Sequence, residues 1–188
     1  MFTQTLVTTL RLLVFRAGPE DLPFDASHRL TLACVTAAIV ANTLFAGIVE
    51  STGYAVVSAV MNVVLIALAT RGTLAVRGLL NRFQQTFNAL MLTTTVLTLV
   101  MVPFLMKLAP VLGDLQKRVQ ANPDLLAHPE LLPQPPAGPV LMLMLLLFWQ
   151  FVVTGRIFYR AAGARALIVL AVIVVSFMLL LRLSASGV

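Results

Sequence analysis

Residues 30–70 read as two apolar runs joined by a turn of a few residues: LTLACVTAAIVANTLFAGIVE, then STG, then YAVVSAVMNVVLIALAT. Residues 30–49 and 54–70 contain no aspartate, glutamate, lysine, arginine or histidine. Each run approaches the ~20 residues a helix needs to cross ~30 Å of hydrocarbon. A water-soluble domain is about half apolar and about a quarter charged. This chain is 60% apolar and 11% charged, with a mean hydropathy of +0.98. A soluble core is excluded, and the expected fold class is an all-α polytopic membrane protein.

The 188 residues read as one membrane domain with five transmembrane helices, at about 30–49, 54–70, 88–106, 139–154 and 166–183. Two further segments look amphipathic and cytoplasmic. In residues 1–16, Phe2, Leu6, Val7, Leu10, Leu13 and Val14 share one arc, at ~100° per residue. Gln4, Thr5, Thr8, Thr9, Arg11 and Arg16 share the other, and Leu12 and Phe15 break the pattern. Such a helix either lies in the membrane interface or packs against the bundle. In residues 71–87, Val76, Leu79, Leu80, Phe83 and Phe87 line up against Arg77, Asn81, Arg82, Gln84 and Gln85, which predicts a second interfacial helix.

Residues 17–28, AGPEDLPFDASH, carry Glu20, Asp21 and Asp25 between two prolines. This segment is either a partner-docking or cation-binding loop, or a connector in which Asp25 or Ser27 caps the next helix. Residues 107–138 form a proline-rich external loop, and Pro103 is expected to kink or end the third span.

Inside the spans the polar groups are few. Ala33, Ala37 and Ala41 make a small-residue stripe that allows close helix approach, with Cys34 beside it. Asn42 and Asn62 both fall ~14 Å from the first turn at ~1.5 Å per residue. A buried amide in hydrocarbon needs a partner, so an Asn42–Asn62 contact is expected. The alternative is a polar notch for a lipid or solute. Gln150 is a third candidate for an intramembrane polar contact, with Thr93, Thr94 and Thr95 beside the set.

Thirteen basic and seven acidic residues give a net charge of +6. Arg11, Arg16, Arg29, Arg71, Arg77, Arg82, Arg156, Arg160 and Arg165 all fall on one side of a five-span topology. Only Glu20, Asp21 and Asp25 oppose them there. By the positive-inside rule that side is cytoplasmic. The N-terminus is then inside and the C-terminus outside, periplasmic for a bacterial inner-membrane protein. The charge is topological, and no aromatic-and-basic platform points to nucleic acid.

No span holds a carboxylate, lysine or histidine at membrane depth, where ion-coupled transporters and intramembrane hydrolases place them. His28 and His128 fall on opposite sides, and no metal-ligand or phosphate-loop spacing is present. No catalytic residue, cofactor or metal is expected. An enzyme reading would require Glu20, Asp21, Asp25 and His28 to form a metal site.

The five spans, the tight first hairpin and the closing pair FWQFVVTGRIFYRAAGARALIVLAVIVVSFMLLLRL resemble the Yip1 superfamily in its bacterial branch. The acidic-Leu-Tyr-Gly-Pro type signature of the eukaryotic members is replaced here by GPEDLPF, so no partner-binding residue carries over. The resemblance implies a non-enzymatic membrane scaffold or accessory subunit. Its expected partners are the lipid bilayer and another membrane protein or further copies of itself. The alternative is an oligomeric passive conduit or lipid-handling protein lined by Asn42, Asn62, Gln150 and the three threonines.

Overall fold

A computed structural model of the chain describes residues 2–23, 28–122 and 133–163. Asp25, the stretch 123–132 and the predicted fifth span at 166–183 lie outside the described residues. Among the described residues the structure is all-helical. It comprises α1 (Phe2–Leu13), α2 (Arg29–Ala46), α3 (Thr52–Val76), α4 (Phe83–Ala121) and α5 (Ala137–Ala162), with 3-10 turns at Pro19–Asp21 and Leu80–Arg82. The helices α2, α3, α4 and α5 are long and apolar enough to cross a membrane.

The bundle is assembled around α4, which contacts each of the other four helices. Half of its most apolar stretch is buried, against 11–17% in α2, α3 and α5. The outward faces of those three helices are apolar: Leu44, Val57, Leu68, Leu141, Phe148 and Phe151 are all exposed. Such a surface suits hydrocarbon and not water. The inward faces of α2 and α3 carry small residues. Cys34, Ala38 and Ala41 of α2 and Ala55, Ala59 and Val63 of α3 are buried. The stripe on α2 is therefore displaced from the predicted Ala33, Ala37 and Ala41: Ala33 is exposed and Cys34 belongs to the packed face. Spacing alone gives two adjacent alanine rows on this helix, and contact with α3 and α4 selects one.

Several boundaries differ from expectation. No separate amphipathic helix forms over 71–87: residues 71–76 continue α3, and 83–87 open α4. The stop is at Gly78, in the left-handed region at φ +67°. Leu79 N–H donates to Leu74 O at 2.9 Å and Gly78 N–H to Ala75 O at 3.0 Å, the paired bonds that close a helix C-terminus. Residues 107–121, expected as loop, continue α4, and both Pro103 and Pro110 lie within that helix. Each proline removes one backbone bond, and the remaining turns stay intact on either side. The 39 residues of α4 measure ~58 Å, so α4 projects well beyond a ~30 Å bilayer. The N-cap of α2 is His28, at φ 57°, and the predicted caps Asp25 and Ser27 lie outside the described residues.

The helix α1 packs by its hydroxyl face. Thr5, Thr8 and Thr9 are buried with Leu12 and Leu13, whereas Leu6, Val7, Leu10 and Val14 are 44–56% exposed. The threonines of the polar arc are thus packed, while Gln4, Arg11 and Arg16 of the same arc stay exposed. Thr9 can be buried because its hydroxyl donates to Thr5 O at 2.8 Å. Past Leu13, Phe15 sits at φ 61°, a conformation that strains a side chain with a Cβ. Its ring lies 5.0 Å from that of Trp149 on α5, and that contact holds the turn against the bundle.

Gly78→Ala should cost about 1–2 kcal/mol, because the left-handed turn penalises a Cβ. Gly72→Ala, inside α3 with open space where the Cβ would go, should be neutral or stabilising by about 0.5–1 kcal/mol. Unfolding of the two purified variants in detergent, side by side with the parent chain, measures both.

Candidate functional site

The polar chemistry of the described residues gathers at the end of the bundle where α2 and α4 begin and α3 and α5 finish. Helix C-termini leave carbonyls unsatisfied and carry partial negative charge. Arginines from the α3–α4 turn meet those of α5: Arg77 Nε donates to Ala162 O at 3.2 Å, and an Arg82 terminal nitrogen to Ala161 O at 3.4 Å. The segment before α2 is fastened to the same end. Gln85 Nε2 donates to Leu22 O at 3.1 Å. Gln84 Nε2 donates to Thr31 Oγ1 at 3.2 Å and lies 3.4 Å from His28 Nδ1. Arg156 stands over the ring of Tyr159 at 6.0 Å.

Of the three candidate acids two are described, and these separate. Glu20 pairs with Arg160 at 3.5 Å, with both side chains nearly half exposed, a contact worth at most about 1 kcal/mol. Asp21 Oδ2 accepts Gly18 N–H at 2.8 Å and holds the 3-10 turn. Asp25 lies outside the described residues. The two that are described serve local structure and do not converge on each other.

Beside this turn a groove of about 530 Å³ runs between α1 and residues 16–21. Thr3, Gln4, Thr8 and Arg11 form its helical wall, and Arg16 and Asp21 line the other side. Arg11 and Arg16 are exposed and take part in no ion pair among the described residues.

Deeper in the bundle, Asn62 Nδ2 donates to Asn42 Oδ1 at 3.2 Å, so the two amides expected at one depth do meet. Asn42 Nδ2 also donates to Ala38 O at 2.8 Å. Thr70, Thr93 and Thr95 bond carbonyls of their own helices. Gln150 is only partly buried on α5 and forms no hydrogen bond with the asparagine pair. Sequence reasoning missed the fully buried Asn88 of α4, whose two amide atoms have no partner among the described residues, and the equally buried Thr73 hydroxyl. The signal was present in the run Gln84, Gln85, Thr86, Phe87, Asn88, four polar residues packed into the opening turns of an otherwise apolar helix. Gln84 and Gln85, expected to face away from the apolar arc of an interfacial helix, are instead buried and half-buried against the segment before α2 and its first turn.

Comparison of the chain with protein-family models, with curated proteins and with solved structures finds no match.

A double-mutant cycle of Asn42→Ala and Asn62→Ala should give a coupling of about 0.6–1.7 kcal/mol, the range for hydrogen bonds between membrane helices. Asn88→Leu should act in the opposite sense. It keeps the heavy-atom count while removing two buried amide atoms that have no partner among the described residues, and is expected to stabilise by about 1–3 kcal/mol less the cost of seating the bulkier methyl groups. Unfolding free energies in detergent decide both signs.

Proposed function

We propose that the chain is a non-enzymatic integral membrane scaffold or accessory subunit, of the kind that the Yip1 resemblance implies. It would sit in a bacterial inner membrane with its arginine-bearing end in the cytoplasm. The observation that carries this reading is where the polar groups of the spans are used. Asn42 closes on Asn62, and Thr70, Thr93 and Thr95 close on carbonyls of their own helices. That is the chemistry of helix packing, and it leaves the outward apolar faces of α2, α3 and α5 available to lipid or to other helices. The second reading, a lipid-handling protein, draws its support from the groove beside α1.

Native mass spectrometry of the tagged protein, extracted in the mildest workable detergent, separates the two. The scaffold reading expects a second protein at fixed stoichiometry. A homo-oligomer with bound lipid and no other protein favours the lipid-handling reading.

The orientation has its own check. Cys34 is buried and leaves little labelling background. A membrane-impermeant thiol reagent added to intact cells should label Asp114→Cys on the projecting part of α4. It should leave Arg77→Cys unlabelled until the cells are opened. The reverse pattern overturns the assignment of sides.

A further inference from the structure

We infer that the groove beside α1 is a binding site for the phosphate of an anionic phospholipid, a reading that rests on the chain being embedded in a bilayer. Three features of one small region support it. The first is charge. Arg11 and Arg16 face a common groove of about 530 Å³, and neither forms an ion pair among the described residues. The one carboxylate at the groove, Asp21, is already engaged by Gly18 N–H. A guanidinium recognises phosphate oxygens through paired, charge-assisted hydrogen bonds. Thr3, Gln4 and Thr8 add neutral donors on the same wall.

The second feature is the neighbouring surface. On the side of α1 next to the groove, Leu6, Val7, Leu10 and Val14 face outward. Val7 belongs to both surfaces: it lines the groove and is 44% exposed. A ligand anchored at the arginines therefore meets a continuous apolar strip, which suits acyl chains and offers nothing to a free anion.

The third feature is depth. The turn after α1 is held by the contact of Phe15 with Trp149. Trp149 lies five residues before Thr154, where the apolar run gives way to Gly155 and Arg156. At ~1.5 Å per residue that is ~8 Å. This is the depth at which an amphipathic helix rests between headgroups and acyl chains, with Trp as an interfacial residue. The groove then opens at the level of lipid phosphates.

Trp149 is the single tryptophan of the chain and is 37% exposed, so its fluorescence reports on the adjoining lipid. The test is quenching of the full-length protein reconstituted in phosphatidylcholine bilayers. Acyl-brominated phosphatidylglycerol or acyl-brominated phosphatidylcholine is added at equal mole fraction. The expected result is an association preference of about tenfold or more for the glycerol lipid, since each basic group near an anionic surface is worth roughly fivefold. The preference should fall to near unity in the Arg11→Gln, Arg16→Gln double variant. It should persist in Arg71→Gln, which removes an exposed arginine that does not line the groove. Equal quenching by the two lipids in the parent chain overturns the site. So does a preference that survives the double substitution, or one that Arg71→Gln weakens as much. Loss of the preference in inorganic phosphate but not in sodium chloride of equal ionic strength assigns the groove to a free anion and overturns the lipid. Failure of either brominated lipid to quench at all removes Trp149 from the acyl region, and the membrane reading falls with the site.

Discussion

A polypeptide in hydrocarbon has no solvent to satisfy its backbone, so each span must be helical and each polar side chain must find a partner inside the protein. The rest of this structure depends on α4, in which Thr86, Thr93 and Thr95 meet that demand through carbonyls one turn earlier while Asn88 has no partner among the described residues. Its first half is buried on nearly every side and is contacted by α1, α2, α3 and α5. The other helices bury only the strip that touches it or a neighbour. This inverts the usual soluble arrangement, in which most helices bury a broad apolar stripe and solvate the rest. Without a hydrophobic drive between helices, contact must be earned by shape, and shape here means small side chains. Ala38, Ala41, Ala55 and Ala59 are almost fully buried. They let α2 and α3 approach closely enough for Asn62 to reach Asn42.

The same constraint explains which parts of the fold were legible in the sequence. Apolar run length located α2, α3, α4 and α5, because a bilayer fixes the length of a span. Depth counting located the Asn42–Asn62 bond, because both residues are measured from a single short turn. Helix ends were less legible. Gly78 stops α3 by its conformation, and an amphipathic pattern that ran across it, from Val76 to Phe87, was misleading. Pro103 predicts a kink or an end to the third span, and the helix continues through it and through Pro110. Run length says nothing about how far a helix continues after it leaves the hydrocarbon.

Pattern also failed to say what a helix faces. The hydrophobic arc of α1 was visible in Leu6, Val7, Leu10 and Val14, and the hydroxyl arc in Thr5, Thr8 and Thr9. In water the first arc would be buried. Here the second is, since Thr9 donates to Thr5 O and arrives at the bundle with its hydroxyl already satisfied. Threonine in a helix is a small residue that carries its own partner, and is therefore suited to helix contacts in lipid. The candidate site suffered from the same ambiguity. Glu20 and Asp21 looked like a pair, yet one reaches Arg160 and the other folds back on Gly18 N–H.

The arginines at this end also tie helices together. Arg77 and Arg82 sit on either flank of the α3–α4 turn and both reach carbonyls at the end of α5, more than 75 residues away in the chain (|i−j| of 85 and 79). The negative end of one helix is thereby held by the connection between two others. A helix C-terminus attracts cations generally, by about 0.3–1 kcal/mol each, but a lysine would supply a point charge without the fixed planar fork. That geometry gives a physical reason for arginine at these two positions. The exposed Glu20–Arg160 pair adds little energy, so the segment before α2 is held chiefly by Gln85 and by burial of Ala17 and Leu22. Two of the arginines of this end thus close the bundle. The side chains of Arg11 and Arg16, which share the excess but reach neither carbonyl nor carboxylate among the described residues, are left to face whatever lies against the groove.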